Sequence, residues 1–406
     1  MSHSTQTIGR IEFIALMAML VATIAFSIDG MLPALPDMAQ ELTPDTPNRI
    51  QLVLVFFIGG LGLGTLIAGP LSDSFGRKSV ILGGAVIYTV ASLAAFWAQS
   101  IEVMLIARAC QGIGAAAPRV VSQALVRDLF KGREMAKINS FVMMVFTLVP
   151  AIAPMIGSFI IWLSDWRGIF AAFVIFVVIG TVWMHVRIVE PITSENKRPF
   201  RMSAFLQALN EMAKLPMVRL SILVQILAYT VLFLSIMLVQ PIFDIYFDRA
   251  DTFPYWFAFI AILAGSASFL NAMLVMRFGM RRLITAALLG QLLIALVMLA
   301  LFQLSSLSRE IWFFIYVGWV VTIFFGAGMT LGNLTALGLE PLGHIAGTAT
   351  SIMGAIATVL SAIFAGIIGQ FFDGTPLAQI LGVLGTSLIA YVIALRMNKH
   401  ERVTSS

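Results

Sequence analysis

The chain has 406 residues, of which 60% are apolar and only 11% charged, with a formal net charge of +5. So few charges cannot coat a soluble globule of this length, so the solvent around most of its surface is lipid. Cys110 is the sole cysteine, which excludes an intramolecular disulfide and a cysteine metal cluster.

A helix needs about 20 apolar residues to cross a bilayer, which leaves room for about twelve spans joined by short loops. Apolar runs place them at 11–36, 49–71, 79–99, 102–126, 138–163, 168–186, 218–246, 254–276, 283–304, 310–337, 348–372 and 376–395. The residues before Ile11 are polar, and no small-residue cleavage site follows the first run, so it reads as a retained span. With the N-terminus in the cytoplasm, nineteen of the 25 lysines and arginines fall in inward loops and tails and four in outward loops. The other two are Arg108 and Arg119, inside the fourth span. This asymmetry predicts an even number of spans and two cytoplasmic termini.

The second and third spans are separated by Gly69-Pro70-Leu71-Ser72-Asp73-Ser74-Phe75-Gly76-Arg77-Lys78, and a weaker echo, Arg277-Phe278-Gly279-Met280-Arg281-Arg282, separates two later ones. Phe75-Gly76 and Phe278-Gly279 lie 203 positions apart, half the chain length. A charged, glycine-bearing turn recurring at that period indicates that one membrane unit was duplicated. The expected fold is therefore an all-α polytopic membrane protein with twelve transmembrane helices in two pseudo-symmetric six-helix bundles. The first bundle is expected over 1–188, a cytoplasmic linker over 189–217 and the second bundle over 218–406. Pro191, Pro199 and Pro216 and mixed charge mark the linker. Its Phe205, Leu206, Leu209 and Met212 form either a short surface helix on the membrane or part of a solvated tether.

Three charges remain inside the membrane once loops and boundaries are set aside: Asp29 in the first span, and Arg108 and Arg119 in the fourth. Burial in lipid disfavours the charge on a carboxylate, so Asp29 can be neutral in one state and charged in another. At helical spacing it shares a face with Ala22, Ala25, Phe26 and Pro33, mostly small residues that leave room for a cavity. Arg108 and Arg119, eleven residues apart, return to nearly the same helix face, so both are expected to point inward. Two arrangements stay open: a fixed ion pair that locks helices together, or an arginine that holds the deprotonated acid until a proton or a substrate replaces it. In the fifth span, Pro150 and Pro154 remove backbone donors on one face, and Gly157 lets a neighbour approach; kinked packing and a moving part are both consistent with this. Gly60 and Gly64 read as a packing pair. The second half has no acid at the position equivalent to Asp29, where Leu232 stands. Its polar residues Gln225, Tyr229, Gln240, Asn271, Gln291 and Asn333 are either inter-helix hydrogen bonds or ligand contacts. There is no GxxxxGK[ST] loop, so a gradient rather than ATP is expected to supply energy. No histidine pair has metal-site spacing, and no nucleophile and base are visible in the spans.

The stretch from Gly69 to Lys78 resembles motif A of the major facilitator superfamily, GxLaDrxGrk, with Ser74 where an arginine is usual. Leu105 to Gly114, with Arg108, Gln111 and Gly112, resembles its motif B, and Pro150 to Gly157 resembles the antiporter motif in a looser form that lacks the Gly-Pro pair. Asp29-Gly30-Met31-Leu32-Pro33-Ala34-Leu35-Pro36 and Val126-Arg127-Asp128-Leu129-Phe130 are similar to the Bcr/CflA subgroup of drug/proton antiporters, with Gly30 departing from its usual pattern. The resemblance implies proton and drug binding at Asp29, tuned by Arg108; from the reading of the residues, Phe26, Arg119, Gln225, Tyr229 and Asn333 are further candidate contacts. It implies a cytoplasmic latch at Gly69, Asp73, Gly76 and Arg77, weakened by Ser74, and Gly112, Pro150, Pro154 and Gly157 are further candidate moving parts. A proton is then the coupling ion and no other cofactor is expected. Expected partners are a drug-like small molecule and membrane lipid, without nucleic acid, for a monomer in a bacterial inner membrane. Export of many compounds and export of one endogenous compound, such as a siderophore or metabolite, remain alternatives.

Overall fold

Lipid cannot satisfy backbone N–H and C=O groups, so each apolar run closes its own hydrogen bonds as a helix. A computed structural model describes residues 8–191, 202–304 and 307–404, and among these the chain forms fourteen α-helices and no strand. They divide into two compact units, Met1–Ala34 with Phe56–Met202, and Leu35–Val55 with Ser203–Ser406. The first holds α1 (Arg10–Asp29), most of α3 (Leu52–Phe75), α4 (Arg77–Phe96), α5 (Ile101–Leu129), α6 (Gly132–Leu163) and α7 (Arg167–Arg187). The second holds α2 (Leu35–Leu42), α8 (Met202–Lys214), α9 (Pro216–Pro241), α10 (Phe253–Phe278), α11 (Met280–Leu304), α12 (Arg309–Leu339), α13 (Ala346–Gly369) and α14 (Leu377–Thr404).

Among the described residues, ten stretches are long and apolar enough to cross a membrane. One of them, Arg309–Gly369, contains both α12 and α13, and α5, 29 residues long, is made too polar for that set by residues such as Arg108, Gln111 and Arg119. Counted this way, twelve helices cross, as the apolar runs predict. Large apolar side chains such as Leu63, Val86, Val90, Phe159, Trp162 and Met276 stay exposed, which in lipid carries no cost.

The first span departs from its expected form. A continuous helix over 11–36 is predicted, but α1 ends at Asp29, a short 3₁₀ turn covers Leu32–Ala34, and α2 follows. Pro33 and Pro36 lack backbone donors and push the residues before them out of the helical region, so the helix stops one turn before the first proline. Pro33 therefore does not extend the Asp29 face of α1. The segment Leu35–Val55 packs in the second unit instead of with the helices that flank it in sequence. There Asn48 Nδ2 donates to the carbonyls of Gln370 (3.1 Å) and Phe372 (2.6 Å), and Gln370 Nε2 donates back to Asn48 O (3.1 Å).

The two units repeat one packing plan. In the first, α1 packs on α5, α6 and α7, and α4 packs on α5 and α7; in the second, α9 packs on α12, α13 and α14, and α11 packs on α12 and α14. The backbone carries the same signature, because Gly76 (φ 103°) and Gly279 (φ 78°), half the chain apart, both adopt a conformation that glycine alone takes without strain. Within the stretch expected to be a linker, Met202–Lys214 is helical, with Ala208 and Met212 buried and Leu206 exposed. The expected linker residues 192–201 lie outside the described residues.

Candidate functional site

The last turn of α1 is buried, and Asp29, its final residue, is 5% exposed. Its carboxylate has no hydrogen bond or ion pair to any described residue. Phe26, one turn earlier, packs against Phe173 and Phe176 of α7, with ring centroids 5.1 and 5.2 Å away. On another side α6 closes in: a β-carbon on Gly157 would run into the carbonyl of Gly30. Pro154 and Gly157 are buried while Ile152, Met155 and Ile156 are exposed, so the proline and glycine lie on the inner face of α6. Small residues here serve helix approach, as expected of a membrane interface.

Arg108 on α5 is fully buried and does not pair with Asp29. Its Nη2 donates to the carbonyl of Ser27 (3.0 Å), two residues before Asp29, its Nη1 donates to Gln111 Oε1, and the guanidinium lies 4.3 Å from the Phe57 ring centroid. The carbonyls at a helix C-terminus carry partial negative charge, so the end of α1 is itself a counter-charge for the guanidinium. A fixed Asp29–Arg108 ion pair is thus absent from this structure. The network continues: Gln111 Nε2 donates to Ser92 Oγ (2.7 Å), Ser92 Oγ donates to Tyr88 O (2.7 Å), and the Tyr88 hydroxyl meets Ser27 Oγ at 2.5 Å. α5 reaches these partners because its glycines let neighbours in. A side chain on Gly112 would strike the carbonyl of Phe57 on α3, and one on Gly114 would press on α4 at Gly84 and Tyr88. Gly60 meets the Ala109 carbonyl in the same way, so it packs, as its spacing predicts. Arg119, expected to point inward, is half-buried and has no hydrogen-bond partner among the described residues.

A second polar cluster forms at the turn between α3 and α4. Arg77 is 4% exposed and donates to Asp73 (2.6 Å), to Asp128 at the end of α5 (2.8 Å) and to Ser72 Oγ (2.5 Å). Glu190 accepts from the backbone N–H groups of Arg77 (2.9 Å) and Lys78 (2.8 Å), placing a carboxylate at the N-terminus of α4, where the helix dipole favours it. Gly69 gives its carbonyl to Ser72 Oγ (2.8 Å), and Ser74 Oγ bonds to Pro70 O (3.1 Å). These contacts tie together α3, α4, α5 and the segment after α7, all within the first unit.

In the second unit the expected polar residues are separate. Asn333 and Asn271 exchange amide hydrogen bonds (2.7 and 3.4 Å) between α12 and α10, and Gln225 Nε2 donates to Thr335 Oγ1 (2.8 Å) while its Oε1 stays unpartnered. Tyr229 is half-buried and stacks on Phe233 at 5.4 Å. Among the described residues, no group of three or more His, Cys, Asp or Glu is placed to hold a metal ion.

Sequence reasoning missed Ser27, Tyr88 and Ser92, and it placed Glu190 in the linker. Hydroxyls are common in membrane helices and carry no signal of their own. The signal for Glu190 was position: an acid just after the seventh helix, able to reach a basic turn that needs a cap.

A model of the family described as Major Facilitator Superfamily matches residues 15–366. The bicyclomycin resistance protein homolog of Haemophilus influenzae is 29% identical over 386 residues, 94% of each chain. A chloramphenicol resistance protein of Pseudomonas aeruginosa is 40% identical over 149 residues, 36% of this chain and 35% of that one. Among solved structures, a D-xylose-proton symporter covers 96% of this chain and 97% of its own length with a TM-score of 0.71; at 17% identity this likeness shows the fold alone.

Proposed function

This chain belongs to the Major Facilitator Superfamily, and from that premise we propose that it exports amphipathic small molecules, exchanging each for an inward-moving proton carried by Asp29. It is a multi-pass membrane transporter. The drug-resistance relatives at 29% and 40% identity support a drug-like substrate. The observation that carries the proton role is Asp29 itself: a carboxylate 5% exposed at the end of α1, with no hydrogen bond or ion pair to any described residue, while the buried arginine of α5 is anchored on the carbonyl of Ser27.

An unpaired charge in this setting is costly, so Asp29 holds either a proton or a cationic partner. In the structure Arg108 rests on the Ser27 carbonyl, so Asp29 has no cationic partner there. Loss of that proton creates an attraction that competes with the Ser27 carbonyl for the guanidinium. Because the Ser27 carbonyl belongs to the last turn of α1, that exchange is mechanically linked to the helix end that α6 grips at Gly30. Binding of substrate and of proton therefore bias α1 differently, which is what coupling requires. Alternating access by rocking of the two bundles delivers the cargo outward. The reading places both termini in the cytoplasm of a bacterial inner membrane, needs no cofactor beyond the proton, and treats the protein as a lipid-embedded monomer with no nucleic-acid partner.

The test is dye-reported acidity in everted vesicles challenged with a panel of cationic and neutral drugs, together with metabolites secreted by the host. Substrates are expected to discharge the proton gradient without an uncoupler. A single active metabolite with silent drugs would identify a dedicated exporter, and a panel that never moves protons would contradict the exchange.

A further inference from the structure

The hydrogen bonds around Arg108 have a fixed direction. The Ser27 hydroxyl donates to the carbonyl of Thr23 (2.6 Å), which can only accept, so the Tyr88 hydroxyl is the donor in its 2.5 Å contact with Ser27 Oγ. Ser92 Oγ gives its proton to Tyr88 O (2.7 Å) and is left as an acceptor for the Gln111 amide N–H (2.7 Å). A guanidinium has no acceptor, so Gln111 must turn its Oε1 to Arg108 and its Nε2 away. The Gln111 amide also reaches the Tyr88 hydroxyl, which lies in the field of the Arg108 charge.

These bonds close a circuit through three helices. Arg108 of α5 holds the Ser27 carbonyl of α1, Tyr88 of α4 holds the Ser27 hydroxyl, and Gln111 joins Tyr88 and Ser92 back to Arg108. Tyr88 and Ser92, four residues apart, share one face of α4 and are 1% and 0% exposed. A β-carbon on Gly114 would run into Gly84 O and Tyr88 N, so that face lies directly against α5. Apart from Arg77 at the start of α4, the buried titratable groups among the described residues of the first unit are Asp29, Tyr88 and Arg108. Arg119 is half-buried further along α5, and the remaining charges of α1, α3, α4, α6 and α7 lie near the ends of those helices.

We propose, on the reading that Asp29 exchanges a proton, that Tyr88 and Ser92 are positioning residues: through Ser27 and Gln111 they hold the Arg108 guanidinium on the Ser27 carbonyl, and so set how strongly Asp29 keeps its proton. A guanidinium free to reach the carboxylate favours its charged form. The circuit opposes that pairing, and loosening it lets the proton leave at lower pH.

The test reads the proton on Asp29 directly. Infrared difference spectra of the full-length protein in liposomes are recorded across pH, and the protonated-carboxyl band of Asp29 is identified by its absence in Asp29→Asn. Tyr88→Phe, which keeps the ring and removes only the hydroxyl, and Ser92→Ala are each expected to move the midpoint of that band toward acid by about one pH unit, a change of about tenfold in proton affinity. Ser92→Thr, which restores a hydroxyl, is expected to titrate with the parent. So is Ser122→Ala, which removes an equally buried hydroxyl that bonds to Pro118 O within α5. Parent-like midpoints in both Tyr88→Phe and Ser92→Ala overturn the proposal, as does an equal shift in Ser92→Thr or in Ser122→Ala. Transport is not read, so export that runs without protons would defeat the function proposed above and leave this result standing, whereas a parent with no titrating Asp29 band overturns both.

Discussion

In the first unit the helices α1, α3 and α5 enclose a guanidinium held by a carbonyl, an amide and an aromatic ring; in the second, α9 and α12 hold Gln225 and Thr335, joined by one hydrogen bond. The helix pairings are the same in both. The packing plan therefore does not need a fully buried charged residue, since one copy has none among the described residues. Desolvating Arg108 opposes folding unless its donors are satisfied, so its retention in one copy points to a task that packing alone does not set.

The sharpest way to break this comparison is to remove its two centres in turn. Arg108→Leu strips donors from Gln111 and from the Ser27 carbonyl, and a loss of about 2–4 kcal/mol is expected. Gln225→Leu removes an amide whose Oε1 is already unpaired, and about 1 kcal/mol or less is expected. Thermal unfolding in detergent, followed by tryptophan fluorescence, measures both; equal shifts would mean that the guanidinium is not the harder group to lose. Glycines give the next contrast. Gly157→Ala drives a methyl into the Gly30 carbonyl and should slow transport several-fold, whereas a β-carbon on Gly290 in α11 meets nothing within 4 Å, so Gly290→Ala should transport as the parent does. The smallest effect is expected at the amide pair of the second unit. A double-mutant cycle on Asn271→Leu and Asn333→Leu should return a coupling of about 0.6 kcal/mol, and a value near zero would show that the pair adds nothing to stability.

Much of this was legible in the chain because lipid imposes simple rules. Apolar run lengths gave the number of spans, and the repeated Phe-Gly turn gave the duplication, which the positive φ of Gly76 and Gly279 makes visible in the backbone. Asp29 and Arg108 were legible because charges are rare in such spans, and their immediate partners were not. A carbonyl takes no part in sequence patterns, so the grip of Arg108 on Ser27 O had no signature, and only the two arrangements pairing Arg108 with Asp29 were open. The end of α1 was misplaced because apolar character continues through Met31–Leu35 although Pro33 breaks the helix there. The packing of Leu35–Val55 in the second unit depends on carbonyl contacts from Asn48, another interaction between backbone and side chain that periodicity does not record.

The central claim is that Asp29 carries the coupling proton. Purified protein and its Asp29→Asn variant, reconstituted in liposomes with an imposed pH difference, can be compared for uphill accumulation and for exchange of labelled substrate without a gradient. The account predicts that the variant loses proton-driven accumulation while remaining folded and inserted. Accumulation by Asp29→Asn that still follows the pH difference, at the parent's rate, would contradict it.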